Sequence, residues 1–173
     1  MGWDDRLDII SWANSIIKED KQAEIVLYGT SMGGSTVLMA SGEDLPSNIK
    51  AIISDCAYTS IYDLFDYEVR NYMNSSSFPI IDFLNATTVL RAGYSLKSAS
   101  PIDAVKKSKV PILYFHGDKD SFVPISMMNK LYDATSSTKK KVTIKGGEHA
   151  NSDLAQPKTY WTSIKNFLKQ YVN

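Results

Sequence analysis

Four short runs of apolar and β-branched residues, separated by helical patterns, constrain the fold of this sequence more than any other feature. The runs are EIVLYG (24–29), IKAIISDC (49–56), VPILYFHG (110–117) and KVTIKGG (141–147). Continuous apolar runs of this length are typical of strands that are buried on both faces. Strands that alternate with helices are joined by right-handed crossovers and form a parallel sheet. The sequence therefore predicts an α/β fold with about four parallel strands.

Helical patterns fill most of the sequence between and around these strands. Apolar residues at helical spacing predict a first helix that ends near Lys18. Three further stretches have the same periodicity: 31–42, 125–135 and 159–172. A chain of 173 residues is long enough for one domain with its own core, so we expect a single domain over residues 1–173.

The segment from Tyr58 to Ser98 departs from this alternation. It is rich in aromatic residues and is interrupted by the polar stretch NSSSFP (74–79). We interpret it as two or three short helices joined by a polar loop. Two roles stay open for this segment: a helical excursion that packs on the sheet, or a cap that covers a pocket.

Composition and charge exclude several classes of protein. Nineteen basic residues balance nineteen acidic ones, so no net field favours nucleic acid or a membrane surface. The run Lys139–Lys141 is interpreted as a solvated turn before the fourth strand. One cysteine excludes an internal disulfide, and two histidines argue against a dedicated metal site, so no cofactor is expected. Without an apolar run of roughly 20 residues or a leader pattern, the sequence predicts a cytoplasmic chain.

One serine lies between glycines directly after the first strand, in the stretch GTSMGG (29–34). A strand, a sharp turn at Ser31 and a following helix are the context of a nucleophile elbow. Gly29 and Gly33 are expected to be the flanks that prevent side-chain clashes in this turn. The start of the helix would place the Met32 amide in a positive field that suits an oxyanion.

A serine nucleophile needs a base and an acid further along the chain. His149 follows the fourth strand, in KGGEHANS, and Asp120 follows the third, in HGDKDSFVP. Parallel strands end at the same edge of a sheet, so residues after each strand can meet there. The order Ser31, Asp120, His149 is the order of an α/β-hydrolase triad.

Other residues compete for these roles. His116, at the end of the third strand, is the alternative base, although a ring there more often caps backbone or packs. Asp55, at the end of the second strand, is the alternative acid, and Asp118 is interpreted as a residue that shapes the turn. Cys56 is interpreted as a packing residue rather than a second nucleophile. The remaining polar neighbours are interpreted as solvated, helix or cap residues: Glu148, Ser35 and Ser152.

The motifs together resemble the C-terminal part of a bacterial α/β-hydrolase of the serine aminopeptidase-like and prolyl oligopeptidase-like group. The motifs are YGTSMGGSTVL (28–38), SDCAYTS (54–60), SPIDAVKKSKVPILYFHGDKDSFVP (100–124) and GGEHANS (146–152). This resemblance implies hydrolysis of an ester, amide or thioester through an acyl-enzyme on Ser31. His149 would act as general base and then as acid, and Asp120 would orient it.

The resemblance fails at the start of the sequence. Members of the group carry earlier strands, and a loop after one of them gives the second oxyanion amide. Here the EIVLY strand is expected to form a bare apolar edge, which invites pairing with another chain. We therefore expect self-association, as a two-fold dimer whose nucleophile strands meet antiparallel.

Three functions are compatible with these residues. The first is a serine hydrolase that acts on a small-molecule ester or a peptide-like substrate. The second is a binding or regulatory module that kept the triad and lost turnover, and the third is an acyltransferase that uses the same residues. The aromatic segment 58–94 hints at an apolar acyl or aromatic group in the substrate, but aromatic residues also serve cores.

Overall fold

The computed structural model describes residues 1–172, in which four strands alternate with eight helices. In chain order these are α1 (Asp5–Glu19), β1 (Ile25–Thr30), α2 (Met32–Ala40), β2 (Ile49–Asp55), α3 (Ile61–Met73), α4 (Ile80–Ala92), α5 (Pro101–Val105), β3 (Ile112–Gly117), α6 (Ile125–Ala134), β4 (Lys139–Ile144), α7 (Ser152–Ala155) and α8 (Pro157–Leu168). The α/β class is confirmed. Helices α5 and α7 were not predicted, since each is too short for a periodic pattern.

The strands form one parallel sheet in the order β1-β2-β3-β4. All four carboxyl ends therefore meet at one edge of the sheet, which is where the predicted site residues follow their strands. Strand β1 lies at one side of the sheet, as expected from its sequence. Its pairing with a second copy of the chain stays a prediction.

The two faces of the sheet are covered by different helices. On one face, side chains from α1, α2, α5 and α6 pack on Leu27, Ile52 and Tyr114. On the other face, Tyr160, Ile164 and Phe167 of α8 pack on alternate residues of the central strands: Ala51, Ile53, Leu113 and Phe115. Alternate residues of a strand face opposite sides, so both faces of β2 and β3 are buried, and their central residues are mostly apolar.

The interpretation of Lys139–Lys141 as a turn is wrong, because these residues are the first half of β4 and pair with Ile112, Leu113 and Tyr114. Strand β4 lies at the second side of the sheet, where lysine side chains can reach solvent or neighbouring helices. Lys141 Nζ donates to Asn129 Oδ1 at 2.7 Å. Charged residues on an outer strand also discourage pairing with another chain.

The segment after β2 forms two helices, α3 and α4, joined by residues 74–79, as predicted. The Ser60 side chain caps α3 by accepting a hydrogen bond from the Asp63 amide at 2.9 Å. A separate apolar cluster, with Ile61, Leu64, Ile81 and Leu96 at its centre, fixes this segment to the rest of the chain. No helix within residues 1–172 is long and apolar enough to cross a membrane.

Candidate active site

Ser31 alone forms the turn between β1 and α2. Its backbone has φ +56° and ψ −118°, a conformation that costs free energy in a residue with a side chain. The Ser31 amide donates to the carbonyl of Asp55 at 2.8 Å, so the end of β2 fixes the turn. Because the chain reverses within one residue, the hydroxyl lies at the sheet edge and reaches the histidine that follows β4.

The glycines around Ser31 differ in whether the surrounding atoms leave space for a side chain. A Cβ at Gly29 would lie 2.3 Å from the carbonyl carbon and oxygen of Gly33, and a Cβ at Gly34 would lie 2.7 Å from the Asp55 carbonyl oxygen. A Cβ at Gly33 would meet no atom of the described residues within 4 Å. The prediction that Gly33 must lack a side chain is therefore wrong within residues 1–172, and Gly34 is the second crowded position. The doubled glycine in the motif was the signal for it.

His149 contacts both of the other predicted residues. Its Nε2 lies 2.8 Å from Ser31 Oγ, and its Nδ1 lies 2.8 Å from Asp120 Oδ2. The ring also has an edge-on contact with Phe122, at 5.0 Å between ring centroids. The three residues predicted from different parts of the sequence thus form one continuous hydrogen-bonded chain.

Both oxygens of the Asp120 carboxylate accept hydrogen bonds. Its Oδ1 accepts the amides of Phe122 at 3.0 Å and Val123 at 2.8 Å, and its side chain is fully buried. Burial alone would raise the pKa of Asp120, but hydrogen bonds from His116, His149 and the Val123 amide outweigh burial and hold the pKa below its ordinary value. The carboxylate therefore stays ionised at neutral pH. An anion at Nδ1 keeps the ring proton there and leaves Nε2 free to accept the serine proton.

His116 contacts Asp120, whereas the hydroxyl of Ser31 contacts His149. Its ring is fully buried, Nε2 donates to the Val123 carbonyl at 2.8 Å, and the same nitrogen lies 3.3 Å from Asp120 Oδ2. Its Nδ1 is buried without a hydrogen-bond partner in residues 1–172. His116 therefore caps backbone, as the main interpretation held, but its contact with the acid was not anticipated.

The alternative acids have structural partners instead. Asp55 Oδ1 accepts the hydroxyl of Ser152 at 2.8 Å, and this bond joins the end of β2 to the start of α7. Burial raises the pKa of Asp55 despite opposing hydrogen bonds from Ser152 and Tyr160. Asp118 Oδ1 accepts the Gly146 amide at 2.6 Å, so Asp118 shapes the turn and also ties it to the loop before His149.

The thiol of Cys56 lies within 4.8 Å of side-chain atoms of Asp120 and His149, although it is distant from them in sequence. The residue is buried, with φ +44°, and its amide donates to the Phe115 carbonyl at 3.0 Å. Burial and, secondarily, the charge of Asp55 raise the pKa of the thiol to about 12. A protonated thiol is a poor nucleophile, so the geometry favours the packing role over that of a second nucleophile.

Two further features border the site. Met32 is the first residue of α2, and the first amides of a helix lack intrahelical acceptors, so its N–H is available to a ligand near Ser31. Glu68 of α3 has one carboxylate oxygen, Oε1, that is buried without a partner in the described residues. Burial, and then the charge of Asp120, raises the pKa of Glu68. Sequence analysis did not single out Glu68, because nothing in its local pattern distinguishes it from a solvated helix residue.

Sequence comparisons find relatives that are longer than this chain. The sequence model of the prolyl oligopeptidase family matches residues 1–173. The uncharacterized protein YqkD of Bacillus subtilis is 27% identical over 151 residues, which are 87% of this chain and 50% of YqkD. The α/β-hydrolase domain-containing protein WAV2 of Arabidopsis thaliana is 26% identical over 155 residues, which are 86% of this chain and 48% of WAV2. The chain thus spans about half the length of the curated relatives it matches.

Solved structures share the fold at lower identity. An esterase of Pyrococcus furiosus superposes with a TM-score of 0.75 at 15% identity, covering 100% of this chain and 63% of the esterase. An acylaminoacyl peptidase of Pyrococcus horikoshii superposes with a TM-score of 0.69 at 19% identity, covering 97% of this chain and 27% of the peptidase. These likenesses show the α/β-hydrolase fold in the described residues.

Proposed function

The chain belongs to the prolyl oligopeptidase family, and we propose that it is a serine hydrolase that cleaves a carboxylic ester or amide through an acyl-enzyme on Ser31. One observation carries the proposal: Ser31 Oγ, both nitrogens of His149 and Asp120 Oδ2 are connected by two contacts of 2.8 Å each. Hydrogen bonds of this length suit proton transfer between a nucleophile and its base. We propose that the triad belongs to one domain and that the helical segment of residues 58–98 is a cap within it.

In the acylation step, Ser31 Oγ attacks the carbonyl carbon of the substrate while its proton passes to His149 Nε2. The carbonyl bond electrons move to the oxygen, which the Met32 amide at the start of α2 stabilises. When the tetrahedral intermediate collapses, His149 returns the proton to the leaving alcohol or amine. Asp120 stays ionised and stabilises the charged ring, because its lowered pKa keeps the proton on His149.

Deacylation repeats the same transfers with water. His149 Nε2 takes a proton from the water as its oxygen attacks the acyl carbon, and then gives that proton to Ser31 Oγ. An acyltransferase would differ only in using another alcohol or amine in place of water. The partition between water and an added alcohol therefore separates the two activities once an acyl-enzyme forms.

Labelling by a fluorophosphonate tests the nucleophile. We expect the probe to modify wild-type protein at Ser31 and to leave Ser31→Ala unmodified, as judged by intact mass and peptide mapping. Ser11→Ala is the matched control, since Ser11 is exposed on α1, and it should label like wild type. A folded wild-type chain that does not label at neutral pH would contradict the proposal and favour a binding or regulatory module.

The substrate class is proposed from the neighbourhood of the site. Solved proteins of this fold include an esterase and an acylaminoacyl peptidase, which supports testing both small esters and peptide-like amides. The aromatic and aliphatic residues of the cap support an apolar group beside the scissile bond. A series of p-nitrophenyl esters of increasing acyl length, compared with acylaminoacyl p-nitroanilides, measures this preference through kcat/KM.

Self-association is proposed from the outer side of the sheet. Beside β1, a groove of about 310 Å³ is lined by apolar residues of α1 and β1, among them Trp12, Ile16, Ile25 and Tyr28. An apolar strand at the side of a sheet favours pairing with a second copy. Light scattering at micromolar concentration should give the mass of a dimer, and a monodisperse, cooperatively unfolding monomer would contradict this proposal.

A further inference from the structure

Cys56 and two members of the triad bring three metal-binding atoms close together. The thiol sulfur of Cys56, a carboxylate oxygen of Asp120 and a ring nitrogen of His149 all lie within 4.8 Å of one another. Within residues 1–172, this is the only group of three or more His, Cys, Asp and Glu side chains with this geometry. The residues follow three different strands, β2, β3 and β4, so the fold and not a local motif brings the three atoms together.

We propose that Cys56, Asp120 and His149 bind a thiophilic divalent cation, of the Zn²⁺ or Cd²⁺ class, and that this cation switches off Ser31. A thiolate, an imidazole and a carboxylate are the donors that zinc takes in proteins, whereas Mg²⁺ and Ca²⁺ prefer sets made of oxygen alone. Tetrahedral zinc bonds of about 2.0–2.3 Å place neighbouring donor atoms roughly 3.3–3.8 Å apart. Asp120 Oδ2 and His149 Nδ1, which lie 2.8 Å apart, would therefore need to separate by roughly 0.5 Å. The Cys56 sulfur, which lies within 4.8 Å of its partners, would need to approach them by up to about 1 Å.

Of the three residues, only His149 is partly exposed, so we expect a cation to reach the cluster from the side of its ring. The side chain of Asp120 is fully buried, whereas that of His149 is 24% exposed, and Cys56 is also buried. A cation reaching the cluster past the ring of His149 would have three protein ligands and a fourth position for water. Three protein ligands and an open position are a common zinc arrangement.

Binding at the cluster rearranges protons and removes the base. The cation takes the place of the Cys56 thiol proton, which leaves to solvent, and forms a bond to sulfur. Asp120 exchanges its hydrogen bond with His149 for a bond to the cation. His149 Nδ1, the nitrogen beside Asp120, binds the cation through its lone pair, so the ring proton moves to Nε2. A protonated Nε2 can donate to Ser31 Oγ but cannot accept its proton.

Cation binding itself does not depend on the proposed hydrolase function, and only the loss of activity rests on it. The test therefore reads both. Because Cys56 is the only cysteine, the ultraviolet charge-transfer absorption of a Cd²⁺–thiolate bond reports this residue alone. We expect one equivalent of Cd²⁺ to produce this absorption in wild type and in Ser31→Ala, and none to produce it in Cys56→Ser.

The second readout is the rate of fluorophosphonate labelling of Ser31. Zn²⁺ should slow labelling of wild type and a chelator should restore it, whereas Mg²⁺ should have no effect. Cys56→Ser and Cys56→Ala should each need at least about tenfold more Zn²⁺ for the same inhibition, and thermal unfolding identifies whichever variant keeps the native fold.

The proposal is overturned by equal Zn²⁺ inhibition in wild type and in the folded Cys56 variant, or by no Cd²⁺–thiolate absorption in wild type. Cd²⁺ absorption without any effect on labelling would also overturn it, because His149 would then not be a ligand. If Ser31 does not label even without metal, the hydrolase proposal fails, while the Cd²⁺ absorption still decides whether the site exists.

Discussion

The loops at the carboxyl ends of the strands and the helical segment of residues 58–98, the proposed cap, are held in place by different forces. Backbone hydrogen bonds connect the loops: the Ser31 amide donates to the Asp55 carbonyl at 2.8 Å, and the Lys119 amide donates to the Gly147 carbonyl at 2.9 Å. The cap is fixed mainly by buried apolar side chains, including Ile61, Ile81 and Leu96. Its outer surface exposes other large apolar groups: Tyr72, Phe78, Phe83 and Leu90.

This difference predicts two kinds of response to substitution. In the loops, a substitution that disturbs the backbone should impair stability or activity, whereas on the exposed surface of the cap a substitution should change only the chemistry of the surface. A loop held by main-chain bonds at close range tolerates little added volume. An exposed side chain on the cap contributes little to the free energy of unfolding. Its substitution can therefore change binding of the proposed substrate without unfolding the protein. The following predictions test that contrast, in order of decreasing effect.

The largest effect is expected at the acid of the triad. Asp120→Asn should lower kcat/KM by about 10³–10⁴-fold, because an amide no longer holds the ring proton of His149 on Nδ1. Steady-state hydrolysis of the best p-nitrophenyl ester measures the loss. Asp118→Asn is the matched control two residues away: its amide oxygen can still accept the Gly146 amide, so activity should stay within about tenfold. Equal losses in both variants would contradict the triad.

A smaller effect is expected from one added methyl group at the elbow. Gly29→Ala should destabilise the native state by about 3 kcal/mol or more, because its Cβ would collide with the backbone of Gly33. Gly33→Ala should be neutral or stabilise by up to about 1 kcal/mol, since alanine is the better helix former and the space is open. Urea unfolding of the two variants measures the contrast. Similar destabilisation at both positions would show that the turn is not limited by crowding at Gly29.

Within the cap, two residues of α4 provide a matched pair. Ile81→Ala should cost about 2 kcal/mol or more of unfolding free energy, because Ile81 is 1% exposed and leaves a cavity. Phe83→Ala should change stability by no more than about 0.5 kcal/mol, because Phe83 is 72% exposed. If Phe83 contacts substrate, its variant should instead raise KM for long acyl chains. A large stability loss at Phe83 would mean that this surface is covered in solution.

The smallest effect is the pH dependence contributed by Asp120. The folded-state pKa of this carboxyl lies below its ordinary value of 3.8, so the folded state binds the proton less readily than the unfolded state. Its contribution to stability is complete above pH 3.8 and is lost as the pH falls through the folded pKa. The unfolding free energy of wild type relative to Asp120→Asn, measured from pH 6 downwards, should therefore decline only in acid. A decline that begins near neutrality would contradict this assignment.

The sequence predicted the parts of the molecule that depend on local patterns. The apolar runs identified all four strands, and the glycines around Ser31 identified the turn. Chain order then indicated Asp120 and His149. These features are readable because each rests on the chemistry of a few neighbouring residues.

The remaining features depend on strand register and on distances across the sheet. Cys56 meets Asp120 and His149, and His116 contacts the acid, only because the ends of β2, β3 and β4 are aligned. Three consecutive lysines are typical of a solvated turn, and nothing in their sequence indicates that they pair with β3. The need for glycine at position 34, and not at 33, follows from a carbonyl contributed by β2. The doubled glycine marks both positions, but only the contact with β2 shows that position 34 is the crowded one.

The arrangement of helices around the sheet also has a consequence for biosynthesis. In residues 1–172, the buried helical side chains on the second face all come from α8, which follows every strand in the chain. A ribosome therefore makes the four described strands before it makes α8, whose side chains cover them on this face. Until α8 has been made, the apolar residues of β2 and β3 on this face lack the side chains that cover them in the native state. Exposed apolar surface of this kind is prone to aggregation and is recognised by chaperones. Slowing translation just before residue 157 should lengthen the exposure and increase the dependence of yield on chaperones.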